Sequence, residues 1–358
     1  MTYTPPLWTP NYDSPTDAPS PYSYGAGEPS ATWRPFNDSS AWNTPIPSSP
    51  TIAPDSTSVV TWLNSLNGPV DRYMGQGGTT GDYDHPAYYA ASNSPLVRVK
   101  FLSNSSDPSV VYTSSTTGTR LRVSDLHNRR IPLPAGATPA GGTDGHMIIE
   151  TATRSYEMWQ GNNWQPGENR YGCAYGAVYD LAGNGASTDG HSATAAGVSL
   201  LSGRIRLAEL QAGKINHALA MVVKYVRRNV VTGPATGCAT PDPATVAGDA
   251  NDLKWPVTGA RFQLNYTESE IEALAVPAWK KVILRAMREY GLIVMDTGGA
   301  SWNLQFESGA VDVAQGQPDR WRAYAVAQGW SQVVDVGNPY ILPLKTGVDW
   351  TKLRVVSM

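Results

Sequence analysis

The sequence predicts an all-β protein, a sandwich or jelly roll with one or two packed helices and an extended N-terminal arm. Three observations carry that expectation. Short runs rich in β-branched and aromatic residues recur between Gly, Pro, Asn and Ser turns along 358 residues. Glycine (34), proline (28), tryptophan (12) and tyrosine (18) are abundant while only 16% of residues are charged, which suits turn-rich sheets with aromatic surfaces. Neither strand–helix alternation nor an internal repeat is visible.

Residues 1–31 are rich in Pro, Ser, Thr, Tyr and Gly without an apolar period, and read as an arm or linker that drapes over something or tethers the domain. Residues 32–358 are then expected to form a single β-sandwich domain, opening at Trp33-Arg34-Pro35-Phe36. A short helix is expected from about Ser58 to Leu66. Strands are expected at Leu96–Phe101, Val110–Tyr112, Arg120–Val123, Met147–Ile149, Tyr156–Gln160, Tyr171–Leu181, Ala218–Tyr225 and Ala260–Leu264. A stronger helix follows Thr267-Glu268-Ser269-Glu270, which fits a capping box. Pro277 suits a first turn, Trp279, Val282, Ile283, Ala286, Met287 and Tyr290 recur at three- and four-residue steps, and Gly291 is placed to end it. Leu292 to Asp296 reads as a buried strand, which Thr297-Gly298-Gly299 turns into Ser301–Glu307.

The formal net charge is −3 and no basic run exists, so a nucleic-acid partner is not expected, because phosphate binding needs clustered Lys and Arg. No apolar stretch reaches spanning length, so membrane insertion is not expected either. The start, Met-Thr-Tyr-Thr-Pro-Pro, lacks a charged-then-apolar signal: either a signal has been removed or the protein leaves its cell by another route. Cys173 and Cys238 allow one disulfide, outside the cytoplasm, or two buried thiols. Asp242, Asp249 and Asp252 lack the spacing of a calcium loop, and neither a zinc signature nor a phosphate-cradling glycine motif is present. No metal and no cofactor is expected.

The stretch Asp144 to Gln160 reads as two alternating strands joined by a tight polar turn. With a loop of two or four residues, Glu150 lies opposite Ser155, Ile148 opposite Glu157, and His146 opposite Trp159. One face then carries His146, Glu150, Glu157 and Trp159, and the buried face Met147, Ile149, Tyr156 and Met158. Two carboxyls on one face are what glycosidic cleavage needs, since one must donate a proton while the other attacks or activates water. Glu157 or Glu150 would serve as acid or base with His146 as partner. A lyase would instead need a base near a group that neutralises a uronate carboxylate. A solvated sheet face bearing ordinary acids is the bland alternative.

Other candidates are more divided. Tyr171, Tyr175 and Tyr179 share one face of the expected strand and form either a ladder for stacking sugars or sheet packing. His217 shares a face with Leu219 and Met221, as a hydrogen-bonded core histidine would. His85, in Asp82-Tyr83-Asp84-His85-Pro86, either lines a sugar site or belongs to a tight turn. Asp189-Gly190-His191-Ser192-Ala193-Thr194 lacks the preceding strand of a nucleophile elbow and reads as a loop. Asp296 either points into a cleft or bonds its own turn.

Several pieces together resemble a family of secreted actinobacterial proteins with a β-sandwich of polysaccharide-active type. They are Pro35-Phe36 with Ala41-Trp42-Asn43-Thr44-Pro45-Ile46, the hairpin at 144–157, Gly176–Leu181, Gly203–Leu210 leading to Ile215-Asn216-His217-Ala218-Leu219, and Ala286–Gly299. The resemblance covers roughly residues 33–307 and, carried over by position, points to Asp144, His146, Glu157 and His217 as catalytic. Where members often have an acidic residue before Ala-Ala-Gly at 195–197, this chain has Thr194. The missing signal, the arm and the ending Gly347 to Val356 are similar to minor tail proteins of phages that infect actinobacteria. That resemblance implies a virion or extracellular location, a cell-surface glycan as ligand and other tail proteins as partners through the arm or C-terminus. The expected function is a tail protein that recognises, and in its enzymatic version cleaves, a host polysaccharide. A free secreted glycan hydrolase or lyase and a purely structural tail protein are the alternatives.

Overall fold

The computed structural model describes residues 17–25, 27–101, 126–161, 163–165, 170–188, 191–238, 253–299, 301–335 and 337–357. The expected strands Val110–Tyr112 and Arg120–Val123 lie outside them. The described residues are mostly sheet with a few short helices. A six-stranded sheet runs in the order Thr51–Ile52, Leu353–Ser357, Arg261–Leu264, Leu292–Thr297, Leu219–Val223, Trp302–Leu304. A four-stranded sheet, the hairpin sheet, runs Tyr175–Asp180, Arg154–Trp159, Met147–Glu150, Ala87–Tyr89, and another runs Arg130–Pro132, Leu96–Phe101, Arg170–Cys173, Asn163–Gln165. Tyr340–Leu342 pairs with Arg72–Met74.

Both faces of the central strands Leu219–Val223 and Leu292–Thr297 are covered, which is why they read as nearly unbroken apolar runs rather than alternating ones. Leu219, Met221, Phe262, Leu292 and Val294 pack on one side with Trp279, Ile283, Ala286 and Met287 of the helix Ala278–Glu289. Ala218, Ala220, Ile293 and Met295 face the other way, onto Trp42 and Tyr290. The two four-stranded sheets share one core, in which Val97, Val99, Ile131 and Tyr171 meet Met147, Ile149, Tyr156 and Met158.

The capping box at Thr267 is present: Glu270 N–H donates to Thr267 Oγ1 (3.2 Å), and Thr267 N–H donates to Glu270 Oε2 (2.6 Å). The helix it starts, Glu268–Ala273, stops before Pro277, and Ala278–Glu289 begins anew behind that proline, so one expected helix is two. Gly291 follows with φ +81°, where a side chain would also meet the Phe262 carbonyl. Ser56–Ser65 matches the expected first helix. The expectation of one or two helices is corrected, since Leu207–Ala212, Ala310–Ala314 and Arg320–Ala327 are also helical. Runs of five to eight residues are too short to show a helical period.

Residues 17–31 lie against the body. Ser20 N–H donates to the Ala90 carbonyl, Tyr22 meets Trp33 and Tyr89 edge-on, and Tyr24 Oη–H donates to Asp312 Oδ1 at 2.7 Å. No described helix is long and apolar enough to cross a membrane. Neither cysteine is in a disulfide: Cys173 is buried and Cys238 is half-buried.

Candidate active-site cleft

The hairpin has the register that its sequence implies. Ile148 lies opposite Glu157, Ile149 opposite Tyr156, and Glu150 opposite Ser155. Beyond the paired strands, Gln160 N–H donates to the Asp144 carbonyl (2.7 Å) and Gly161 N–H to that of Gly145 (3.0 Å). Gly145, at φ +47°, turns the chain between them. Trp159 pairs with Tyr175 on the next strand, and their rings stack with centroids 5.6 Å apart and planes at 25°.

The expected solvent face is covered along most of its length. The segment around Ala193 to Leu201 packs onto it with Phe36, enclosing Ile148, Ala177 and Tyr179. Glu157 is fully buried beneath it, accepting from Ser155 Oγ (2.8 Å), Ser199 Oγ and Leu200 N–H (2.6 Å). Burial pushes its carboxyl up to about 7, and those hydrogen bonds pull back against the rise. Glu150 is equally sealed, with Arg204 Nη2 3.8 Å from its Oε1 and no hydrogen bond of its own; burial pushes it up to about 7 as well. The two glutamates expected at the site therefore line no opening.

The uncovered end of the same face does. Asp144, His146, Trp159 and Tyr175 line a cleft of about 740 Å³ together with Asp296 and Asn303 from the six-stranded sheet, Gln305 just past its strand Trp302–Leu304, Arg72 from the strand Arg72–Met74 and Tyr83 from a loop. Asp144 is half-buried and accepts from Trp159 Nε1–H at 3.2 Å. His146 is 4% exposed, and neither ring nitrogen closes a hydrogen bond of normal geometry. Burial lowers its pKa to about 4, against the opposing pull of Asp144 and the Ala193 backbone, so its ring is neutral at neutral pH. His85 stands edge-on behind it, centroids 4.8 Å apart, with Nδ1 3.0 Å from the Leu200 carbonyl.

Asp296 reaches the cleft through a β-bulge. Along the parallel pair, Met221 lies opposite Val294 but Val222 lies opposite Asp296, so Met295 is an extra residue. Without it, alternation would turn Asp296 toward the core that holds Val294. With it, Asp296 shares the side of Val222, which lines the cleft. Thr297 N–H donates to Asp296 Oδ1 (2.7 Å) and Ala195 N–H to Oδ2 (3.4 Å). Enclosure pushes this carboxyl up to about 7; the two N–H groups oppose the rise and Asp144 adds to it.

The remaining candidates lie elsewhere. The tyrosine ladder is corrected: the expected strand breaks at Ala174, which leaves Tyr171 in the core between the sheets while Tyr175 lines the cleft. Tyr179 is buried with its hydroxyl 2.9 Å from Ser192 Oγ. Ser192 closes its own turn, its Oγ accepting from Thr194 N–H at 3.0 Å. His217 is buried, with Nε2 3.1 Å from Glu209 Oε1 and Nδ1 2.8 Å from the Ala218 carbonyl, and does not line the cleft. No group of metal-ligating side chains occurs among the described residues. Asn303 and Gln305 were not singled out in the sequence; Asp296, expected either to point into a cleft or to bond its own turn, does both.

These features define a cleft whose lining carries two carboxyls and an aromatic stack. No protein-family model, no curated protein and no solved structure matches the chain.

Proposed function

We propose that this chain is a virion tail component that recognises and cleaves a host cell-surface polysaccharide in the cleft between the hairpin sheet and the six-stranded sheet. The observation that carries the reading is the pairing of Asp144 and Asp296 with the stacked Trp159 and Tyr175 in one cleft. Aromatic faces take the C–H side of sugar rings. A carboxyl whose proton is retained to about pH 7 can act as a general acid near neutrality. Asp296 donates its proton to the glycosidic oxygen, and Asp144 faces the positive charge that develops at the anomeric carbon. His146, neutral and nearly buried on the same lining, offers hydrogen bonds to sugar hydroxyls.

Thr194, where an acid was expected by resemblance, closes a turn with the Val198 carbonyl (2.7 Å) and leaves the acid role to Asp296. The core shared by the two four-stranded sheets supports reading the fold as a sandwich of polysaccharide-active type. The tail assignment draws on the resemblance of the arm and the ending, and the partners are other tail proteins held through the arm. The C-terminal strand Leu353–Ser357 is already flanked by two strands, which favours the arm as the docking element. The test is release of reducing ends from host envelope glycan, lost in Asp296→Asn and Asp144→Asn while binding persists. Binding without any release by the wild type would reduce the function to receptor recognition.

A further inference from the structure

We propose that the cleft continues over a rim formed by Arg72, Tyr83 and Asn303 into a second recess, and that the two hold successive sugars of one glycan chain. This rests on the carbohydrate reading of the cleft and adds a second binding segment to it, hence a preference for long chains. The three rim residues line both cavities, the cleft of about 740 Å³ and a neighbouring recess of about 370 Å³. Beyond the rim, Tyr73, Gln76 and Thr80 line the recess. A ring, an amide and a hydroxyl are groups that stack on sugars or hydrogen-bond them, whatever charge the sugar carries.

Two aromatic rings set this recess apart. Tyr73 is 47% exposed and Tyr83 37%, and among the described side chains no other aromatic is as open. Exposed apolar surface that adjoins a cleft marks a place where something binds. Both rings are also held in place, so little freedom is lost when a sugar stacks on them. Tyr73 lies in the middle of the strand Arg72–Met74, opposite Ile341, and alternation turns it outward while Met74 is buried. The Tyr83 ring lies over Gly142, where an added Cβ would come within 3.0 Å of it, and its Oη is 3.5 Å from Oγ1 of Thr143, the neighbour of Asp144.

The rim itself has bonds to give. Arg72 is fixed by Asp84, with Nη2 2.5 Å from Oδ1, yet its Nε–H has no partner within the fold, and neither has Asn303 Oδ1. A donor and an acceptor are thus unsatisfied where the two cavities meet, and a sugar hydroxyl can answer either. Their place relative to the acid follows from the sheet. Asn303 lies opposite Val222, which in turn lies opposite Asp296. Two strand spacings put the backbones of Asn303 and Asp296 about 10 Å apart, a span longer than one sugar ring. A chain cut at Asp296 therefore reaches the rim with a further sugar and the recess with those after it.

The test is calorimetry of the whole chain with fragments of actinobacterial envelope glycan, made by partial acid hydrolysis and separated by length. Every protein carries Asp296→Asn, so that the fragments stay whole. Long fragments should bind this parent about three- to tenfold more tightly than fragments that fill the cleft alone, the range that one stacking ring supplies. Adding Tyr73→Ala should remove that gain and leave the binding of short fragments as it was, while Tyr73→Phe, which keeps the ring, should keep the gain. Equal affinity for long and short fragments, or a gain that survives Tyr73→Ala, overturns this inference and leaves the cleft standing. Binding of no fragment, by the parent or by the wild type, overturns the cleft reading and this inference with it.

Discussion

Replacing Asp296 with asparagine should make the protein inactive and, at alkaline pH, more stable. The carboxyl is raised from 3.8 to about 7 in the fold, chiefly by enclosure. Between these values the unfolded chain is ionised while the folded chain keeps its proton, so the folded state binds more protons and stability falls as pH rises. The slope is about 1.4 kcal/mol per pH unit for one group. From pH 5 to pH 8 the wild type should lose about 2–3 kcal/mol through Asp296 alone. Asp82, Glu150 and Glu157, also pushed up to about 7 mainly by burial, add losses of the same sign. They remain in the variant and cancel in the comparison. Asparagine keeps the acceptor for Thr297 N–H but turns a donor toward Ala195 N–H, which costs about 1 kcal/mol at every pH. Urea unfolding of both proteins at pH 5 and pH 8 measures the difference of differences. Equal losses in the two proteins would mean that Asp296 is ionised in the fold, and the acid role would fall.

Glu157→Gln should change stability but leave kcat per folded molecule within about twofold, because its carboxyl meets Ser155, Ser199 and Leu200 rather than the cleft. A loss of several hundredfold with the fold intact would return the acid to Glu157. Trp159→Ala removes a stacking partner and the N–H that holds Asp144, together worth about 1–3 kcal/mol, so oligosaccharide binding measured by calorimetry should weaken about 10- to 100-fold. Thr267→Ala should cost about 1 kcal/mol in urea unfolding through loss of its cap, with unchanged activity. Under native conditions an alkylating reagent should label Cys238, on the cleft wall, well before buried Cys173, whose thiol burial raises; mass spectrometry of the modified peptides gives the order, and bound oligosaccharide should slow the first reaction.

The hairpin shows how far local pattern reaches. Alternation and a four-residue turn set the face shared by His146, Ile148, Glu150, Glu157 and Trp159, and the observed register agrees. Which end of that face opens is decided by the segment at Ala193 to Leu201, which is distant in sequence and carries no strand period of its own. Hence the cleft opens at Asp144 and Trp159, with Glu157 beneath the cover. The direction of Asp296 stayed open for a different reason: a bulge breaks the alternation on which any reading of strand faces depends. The capping box at Thr267 was legible because it is written in adjacent residues. The helix at Arg320–Ala327 was not, although Asp319 caps it at 2.8 Å, since eight residues with weak periodicity give little to read.

The way residues 17–31 are fastened bears on how the molecule responds to pulling. Glu28 bonds Arg320 through Nη2 (2.7 Å), Arg320 also grips Asp312, and its guanidinium lies 5.4 Å from the centre of the Tyr24 ring. Two backbone hydrogen bonds, from Ser20 to Ala90 and from Ala152 to Ala18, join them. Tension applied at the N-terminus meets these contacts one after another, as a zipper does, first where Asp17 bonds Tyr156 and Arg154 of the hairpin sheet and later at the Arg320 clasp. Peeled free, these fifteen residues would add up to about 5 nm of extended chain, and the guanidinium clasp would be among the last contacts to yield.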